Sequence, residues 1–385
     1  MNLLLRIIIF VSLLQISTSA TADDSIQSID PDTITDESFI STSLLIASPG
    51  DVLYSRVGHC AIRMQCPSQK LDYVYSYESE DAKQKILSFL AGNLKMGMFA
   101  VPTQEYIKLY KEDGRGVTEY PLNIPIEGKR NLWRVLDSYF MQGANLPYDY
   151  IIRGCAHSTL MLLKEGLDTL QLEYGPWPEK FTTMTRRELT RIQMETSPWS
   201  WLFMNIICNG SINDEDCSLE DKVIMPIDLV YVLTHAKLQG KPLVSDKPKT
   251  LSVVNINDKP STITPTMVAL ALLLLTLVCL LLRKGYMDYV LLTVQTLIGI
   301  VNVYLIFFST LCCTEWSWLI VPCNPLPLIL WRWRKHWALP YAGIILIWAA
   351  AMLFSPHQLT TTPFVIFAFA LIASYVGIHI RHRHS

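Results

Sequence analysis

The chain has 385 residues, half of them hydrophobic and 17% charged, long enough for two domains but too apolar for an ordinary soluble pair. Its formal net charge of -2 excludes the broad basic surface that displaces counterions from nucleic acid, so no nucleic-acid partner is expected. The apolar excess is concentrated beyond position 264, which predicts a globular head on a membrane base.

Residues 1–20 carry Arg6, an apolar stretch over 7–14 and the small-residue end Thr18-Ser19-Ala20, the layout of a secretory signal peptide, with an uncleaved anchor as the alternative. Residues 21–41 are acidic and Ser/Thr-rich, a flexible lead-in. The head is expected over 42–245. Strands are predicted at 43–47, around 59–64 and at 71–77. In the second of these, Cys60, Ile62 and Met64 share one face and His59, Ala61 and Arg63 the other; in the third, the tyrosines at 73, 75 and 77 oppose Asp72, Val74, Ser76 and Glu78. Helical spacing follows at 82–94 and 104–111, then a strand at 117–122, a turn at Glu127-Gly128 and a helix over 129–141. The helical run 156–165 ends at Gly166 and sets Cys155 at or just inside a helix N-terminus, where the dipole and free amides favour a thiolate. A loop and short helix are expected over 173–198, with Arg186-Arg187 as a basic patch and Trp177, Trp199 and Trp201 as packing or membrane-surface aromatics. A last helix lies at 227–237.

A linker at 246–263 leads to a membrane domain over 264–385, with apolar spans near 265–282, 289–308, 316–331, 339–354 and 363–380. The loops with Arg283-Lys284, with Arg332, Arg334 and Lys335, and with Arg381 and Arg383 alternate with loops that contain no Lys or Arg. That asymmetry places the basic loops in the cytoplasm and the head outside it. The third span is short and holds Pro322, Asn324, Pro325 and Pro327, the composition of a broken or re-entrant segment.

Five cysteines fall in the head. Cys208 with Cys217 is the foremost disulfide expected there, then Cys60 with Cys66, which leaves Cys155 unpaired. An unpaired exported thiol is either a small buried hydrophobe or a nucleophile, and His59 is either an ordinary strand histidine or its base. His157 is a rival base that a helix would turn away from Cys155. Cys155, His157, His59 and Cys60 have no structural-zinc spacing, and neither HExxH, GxSxG nor a Gly-rich phosphate loop is present, so no metal or cofactor is expected.

The run from Ser48-Pro49-Gly50-Asp51 through Tyr54-Ser55-Arg56 to Gly58-His59 resembles the periplasmic domain of the Bacteroidota lipoprotein N-acyltransferases of the Lnb type. So do Phe89-Leu90-Ala91-Gly92, Gly114-Arg115-Gly116, Gly154-Cys155-Ala156, Met225-Pro226 and Gly240-Lys241-Pro242-Leu243, in the same order and with similar gaps, and the tail with Asn324-Pro325-Leu326. The resemblance implies an α+β, permuted papain-like thiol-enzyme domain followed by an all-α membrane domain of about five transmembrane helices, in the bacterial inner membrane. It implies Cys155 as nucleophile and His59 as base, a phospholipid as acyl donor and a lipoprotein N-terminus as acceptor. Tyr54, Asp72, Ser76 and Glu78 are the candidates to orient His59 or hold an oxyanion. Gly154 stands where the family usually has Asn, and Leu160-Met161-Leu162-Leu163 replaces its Arg/Asp pattern. A membrane-tethered thiol peptidase or amidase and an inactive lipoprotein-handling homologue are the alternatives.

Overall fold

The computed structural model describes residues 40–50, 55–79, 85–143, 146–147, 154–208, 217–244, 247–253, 262–311, 316–354 and 362–383. The expected signal peptide and most of the lead-in lie outside them. The head is built on a seven-stranded sheet of β1 (Ser41–Ala47), β2 (His59–Cys66), β3 (Leu71–Ser79), β4 (Lys95–Pro102), β5 (Val117–Pro121), the two-residue β6 (Leu146–Pro147) and β10 (Lys249–Ser252), in the order β10-β5-β1-β2-β3-β4-β6. Every described pairing is antiparallel. A small second sheet joins β7 (Leu172–Glu173), β8 (Lys237–Leu238) and β9 (Lys241–Pro242).

Alternation along β2 decides which helices cover which face. Directly opposed residues of antiparallel strands share a face, and β1 pairs with β2 through Leu45↔Ala61 while β2 pairs with β3 through Arg63↔Val74. One face therefore carries Leu45, Ala61 and Val74, which pack with Val117 and with Tyr106 of α2 (Thr103–Glu112). The same face holds the group in which Arg63 donates to Asp72 at 2.6 and 2.7 Å and to Glu119 at 2.8 Å. The other face carries Cys60, Ile62 and Met64, all buried, and packs with α4 (Cys155–Gly166). Leu160, Leu162 and Leu163 of α4 are buried, so the apolar run after Thr159 serves the core. Helix α3 (Ile126–Gln142) packs on α4.

Several sequence expectations change here. Residues 95–102 form β4, which the reading did not contain; the helix expected over 82–94 is described only as α1 (Ile86–Ala91). Gly128 lies inside α3 rather than in a turn, where an added Cβ would meet Leu170 at 2.7 Å and Ile124 at 2.8 Å. Residues 249–252, read as linker, add β10 to the sheet edge through a bulged register. The expected Cys208–Cys217 bridge is not formed: Cys208 is a free thiol, and its carbonyl accepts from Arg187 at 2.5 Å. Cys60 and Cys66 are free as well. Six residues apart on one strand, they are separated by about 20 Å, far beyond disulfide reach. Arg186 and Arg187 are buried rather than a surface patch, and Arg187 also donates to Asn205.

After α5 (Glu179–Thr183), α6 (Arg186–Gln193), α7 (Pro198–Ile207) and α8 (Pro226–His235) come the apolar helices α9 (Pro265–Leu281), α10 (Tyr286–Phe308), α12 (Arg334–Phe354) and α13 (Thr362–Arg383). Between α10 and α12 lies the four-residue α11 (Leu326–Ile329), flanked by 3-10 turns. Two of these helices, α10 and α13, are long and apolar enough to cross a membrane by themselves. Residues 316–331 are not one helix. Their freed carbonyls are met by a buried network in which Gln295 donates to Pro322 O at 2.7 Å, Tyr341 to Val321 O at 2.6 Å and Asn324 to the Tyr341 hydroxyl at 2.7 Å. Gly299 makes this fit possible, because a Cβ there would sit 2.5 Å from Asn324 Cα.

The basic loops gather at one end of the bundle. Arg381 donates to Lys284 O at 3.1 Å and pairs with Asp288. The head sits at the other end: Thr310, just past α10, donates through its backbone to Ala91 O at 3.1 Å, and Trp199 donates to Ile263 O at 2.7 Å. Gly92, at φ 76°, lets the chain turn against residues 310–311 where a side chain would collide. Leu202 and Ile206 of α7 pack against the bundle's apolar core. The head therefore rests on the helices through named contacts.

Candidate functional site

His59 opens β2 and Cys155 opens α4, with Gly154 in extended conformation as the residue before the first turn. The two side chains line one cleft together with Gly58, Tyr77, Glu78, Met96, Gly154 and Ile224. The register of β2 with β3 begins at Ile62↔Tyr75; continued by three residues, it sets Glu78 opposite His59. Glu78 Oε1 lies 3.2 Å from His59 Nε2, an ion-pair contact without the alignment of a hydrogen bond.

Of the other orienting candidates, Ser76 donates to Glu78 Oε1 at 2.8 Å and so braces the carboxylate rather than the imidazole. Asp72 is taken up by Arg63 and by Thr103, which donates at 2.5 Å. Tyr54 lies outside the described residues. His157 is engaged elsewhere, with Nδ1 3.3 Å from Glu220 O and Nε2 4.0 Å from Asp221 Oδ1.

Three contributors escaped the sequence reading. The Cys60 thiol acts on Cys155 from the neighbouring strand and donates to Thr159 Oγ1, one helical turn on from Cys155, at 3.6 Å. Tyr110 of α2 lies parallel to the His59 ring, 6.3 Å between centroids and 18° between planes. The Arg115 guanidinium stands over the Tyr110 ring, 4.6 Å from its centroid, with Nε donating to Ser48 O at 2.7 Å. The Gly114-Arg115-Gly116 motif marked the spot but not the Tyr110 ring that Arg115 packs on.

The electrostatics are those of a thiolate–imidazolium pair. The Cys60 hydrogen bond, then the His59 charge, hold the Cys155 thiol well below its ordinary value against burial. Burial lowers the His59 value, but Tyr110, Glu78 and Cys155 together bring it out well above the usual imidazole range. Burial would raise Glu78; His59, Ser76 and Arg115 outweigh it and leave the carboxylate below its usual value. Burial and the Cys155 charge push the Cys60 thiol well up, so it stays protonated as a donor. The arrangement thus holds a nucleophilic sulfur at the positive end of a helix, next to a proton carrier backed by a carboxylate. Among the described residues no group of three or more His, Cys, Asp and Glu side chains is placed to hold a metal ion.

Fold and site together define an α+β domain that presents a Cys–His–carboxylate cluster on top of apolar helices. Residues 30–191 match the family model described as the Lnb N-terminal periplasmic domain, in agreement with the Lnb-type resemblance read from the sequence. No curated protein and no solved structure matches the chain. The periplasmic-domain match and the two long apolar helices describe a membrane protein whose N-terminal domain lies in the periplasm.

Proposed function

We propose that the chain is an inner-membrane lipoprotein N-acyltransferase working through a Cys155 thioester. The observation that carries this reading is the meeting of Cys155, His59 and Glu78 in one cleft of an Lnb-type periplasmic domain. The Cys155 thiolate attacks an acyl-ester carbonyl of a phospholipid, and the backbone N–H of Cys155 at the start of α4 faces the developing oxyanion. Collapse breaks the ester C–O bond. His59, protonated in the resting pair, gives its proton to the departing lysophospholipid oxygen, leaving the thioester and neutral imidazole. The α-amine of a lipoprotein's N-terminal cysteine then attacks the thioester carbonyl. His59 takes the amine proton, the C–S bond breaks, and the amide and the thiolate–imidazolium pair are left. No external energy source is consumed, because the donor ester supplies the activated acyl group.

In this reading the chain makes five passes, with residues 316–331 as a broken third one, and the fold of the head is the permuted papain-like one that places histidine before cysteine. Glu78 orients His59, and Tyr110 stacks on the ring with Arg115 over Tyr110. The multi-pass base favours a lipid substrate over a wall peptide, for which a single anchor suffices.

The test is mass spectrometry of lipoprotein N-termini from cells with the protein, without it, and with Cys155→Ala. N-acylation lost on deletion and not restored by Cys155→Ala is the expected result. Full restoration by Cys155→Ala overturns the thiol mechanism, and altered wall peptides with unchanged N-termini identify an amidase instead.

A further inference from the structure

Helix α1 turns two large apolar side chains outward. Its Phe89 is buried in the head, while Ile86 and Leu87 are 44% and 75% exposed. The other end of α1 shows what they meet. Ala91 O accepts from the Thr310 backbone N–H at 3.1 Å and from the Thr310 hydroxyl at 3.0 Å, and Gly92 closes on residues 310–311. Thr310 lies two residues past the end of α10.

Helix α10 is one of the two helices long and apolar enough to cross a membrane. Its aromatic residues gather at its ends, Tyr286 and Tyr289 beside the basic loop and Tyr304, Phe307 and Phe308 beside the head, with none over 290–303, the pattern of a span with an interfacial belt at either side. From Tyr286 to Phe308 the rise is about 33 Å at 1.5 Å per residue, against a hydrocarbon core of roughly 30 Å. Phe308 therefore stands at the edge of the hydrocarbon, and Thr310, with Ala91 bonded to it, in the headgroup layer. Leu87 is one turn before Ala91 on the same side of α1, about 6 Å away. Exposed apolar side chains at this level lie among lipids, as those of interfacial helices do.

The same segment borders the catalytic cleft. Glu78 and Ser79 line the cleft before α1, and Met96 lines it after. Met96 is five residues past Ala91, a reach of at most about 18 Å. We propose that Ile86 and Leu87 insert among the phospholipids of the outer leaflet and that α1 guides a donor lipid from there to the cleft wall at Met96. The insertion stands on the geometry of α1 and α10; the guiding role rests on the acyltransferase reading.

The experiment uses the full chain in vesicles of phosphatidylethanolamine and phosphatidylglycerol doped with a phospholipid bearing a diazirine near the carboxyl end of its sn-1 chain, followed by photolysis and peptide mapping. Labelling of α1 well above that of the peptides holding Leu109 and Met141, exposed apolar residues of α2 and α3, is expected. Equal labelling of the three overturns the insertion. Ile86→Ser combined with Leu87→Ser is expected to slow acyl loading of Cys155 from vesicles about tenfold, less than the full worth of two buried aliphatic side chains. Loading from a dihexanoyl phospholipid below its micellar concentration, and alkylation of Cys155 by iodoacetamide, should be unchanged. Undiminished loading from vesicles, or equal slowing with both donors, overturns the guiding role. Cys155→Ala keeps the labelling, because the contact needs no chemistry. Labelling of α1 in a protein that never loads Cys155 upholds the insertion and defeats the acyltransferase reading together with the guiding role.

Discussion

Replacing Glu78 with Gln removes the charge next to His59 while keeping the size of the side chain. At 3.2 Å, the carboxylate–imidazolium attraction is about 5 kcal/mol at an effective dielectric of 20. The Glu78 side chain is 43% exposed, and solvent screening cuts this to roughly half or less, which corresponds to about 1–2 pH units. The sign is a fall in the His59 value, because the charged imidazole loses its partner. Cys155 is affected through His59, whose charge is among the forces holding the thiolate down. Its apparent value therefore rises. The assay is the rate of Cys155 alkylation by iodoacetamide between pH 4 and 9, in a background where other reactive cysteines are absent. Glu78→Gln shifts the rise of that profile upward by about 1 unit and slows alkylation below it. Superimposable profiles for the two proteins would refute the role of Glu78.

Cys60→Ala removes the donor nearest the thiolate and is expected to slow alkylation of Cys155 near pH 6 by about tenfold, the worth of a hydrogen bond to a charged group. Arg63→Met leaves Glu119, 8% exposed, without its partner; a loss of about 3 kcal/mol of head stability is expected by denaturant titration, with the alkylation profile of Cys155 unmoved. The same variant tests acid sensitivity. Burial would raise the Asp72 value, but Arg63, Thr103 and Gln65 hold it below the usual one, so this stabilisation is present above about pH 4 and is lost as pH falls through the folded value. Arg63→Met should flatten that limb of the stability curve. Gly299→Val drives a side chain into the backbone at Asn324 and is expected to destabilise the helical domain by about 1–3 kcal/mol in detergent melts, with alkylation of Cys155 preserved.

What was legible in the sequence was periodic. Alternation in β2 put His59 and Cys60 on opposite faces, and the helical run after Gly154 put Cys155 at its start. Glu78 was one of three candidates on its face because alternation tells which residues share a face, not which are level with His59; only the β2–β3 register does that. Cys60 looked like core, or half of a disulfide, because nothing local shows that α4 brings a second sulfur to it. Tyr110 reaches the histidine from a helix some fifty residues away, and Arg115 reaches Tyr110 from the turn that follows it. Strand β4 was missed because Lys95-Met96-Gly97-Met98 has little β-branched character; it is a strand because β3 pairs with it along seven residues.

The central claim is a covalent one, and its most direct test is to look for the bond. Purified full-length protein incubated with a phospholipid carrying isotopically heavy acyl chains, without acceptor, should yield a Cys155 peptide heavier by one acyl group. That mass should be removed by neutral hydroxylamine and discharged by an N-terminal diacylglyceryl-cysteine peptide, which gains the heavy amide. Absence of the acyl group from Cys155 while the acceptor is still acylated, or acylation of the acceptor by Cys155→Ala, would contradict the account.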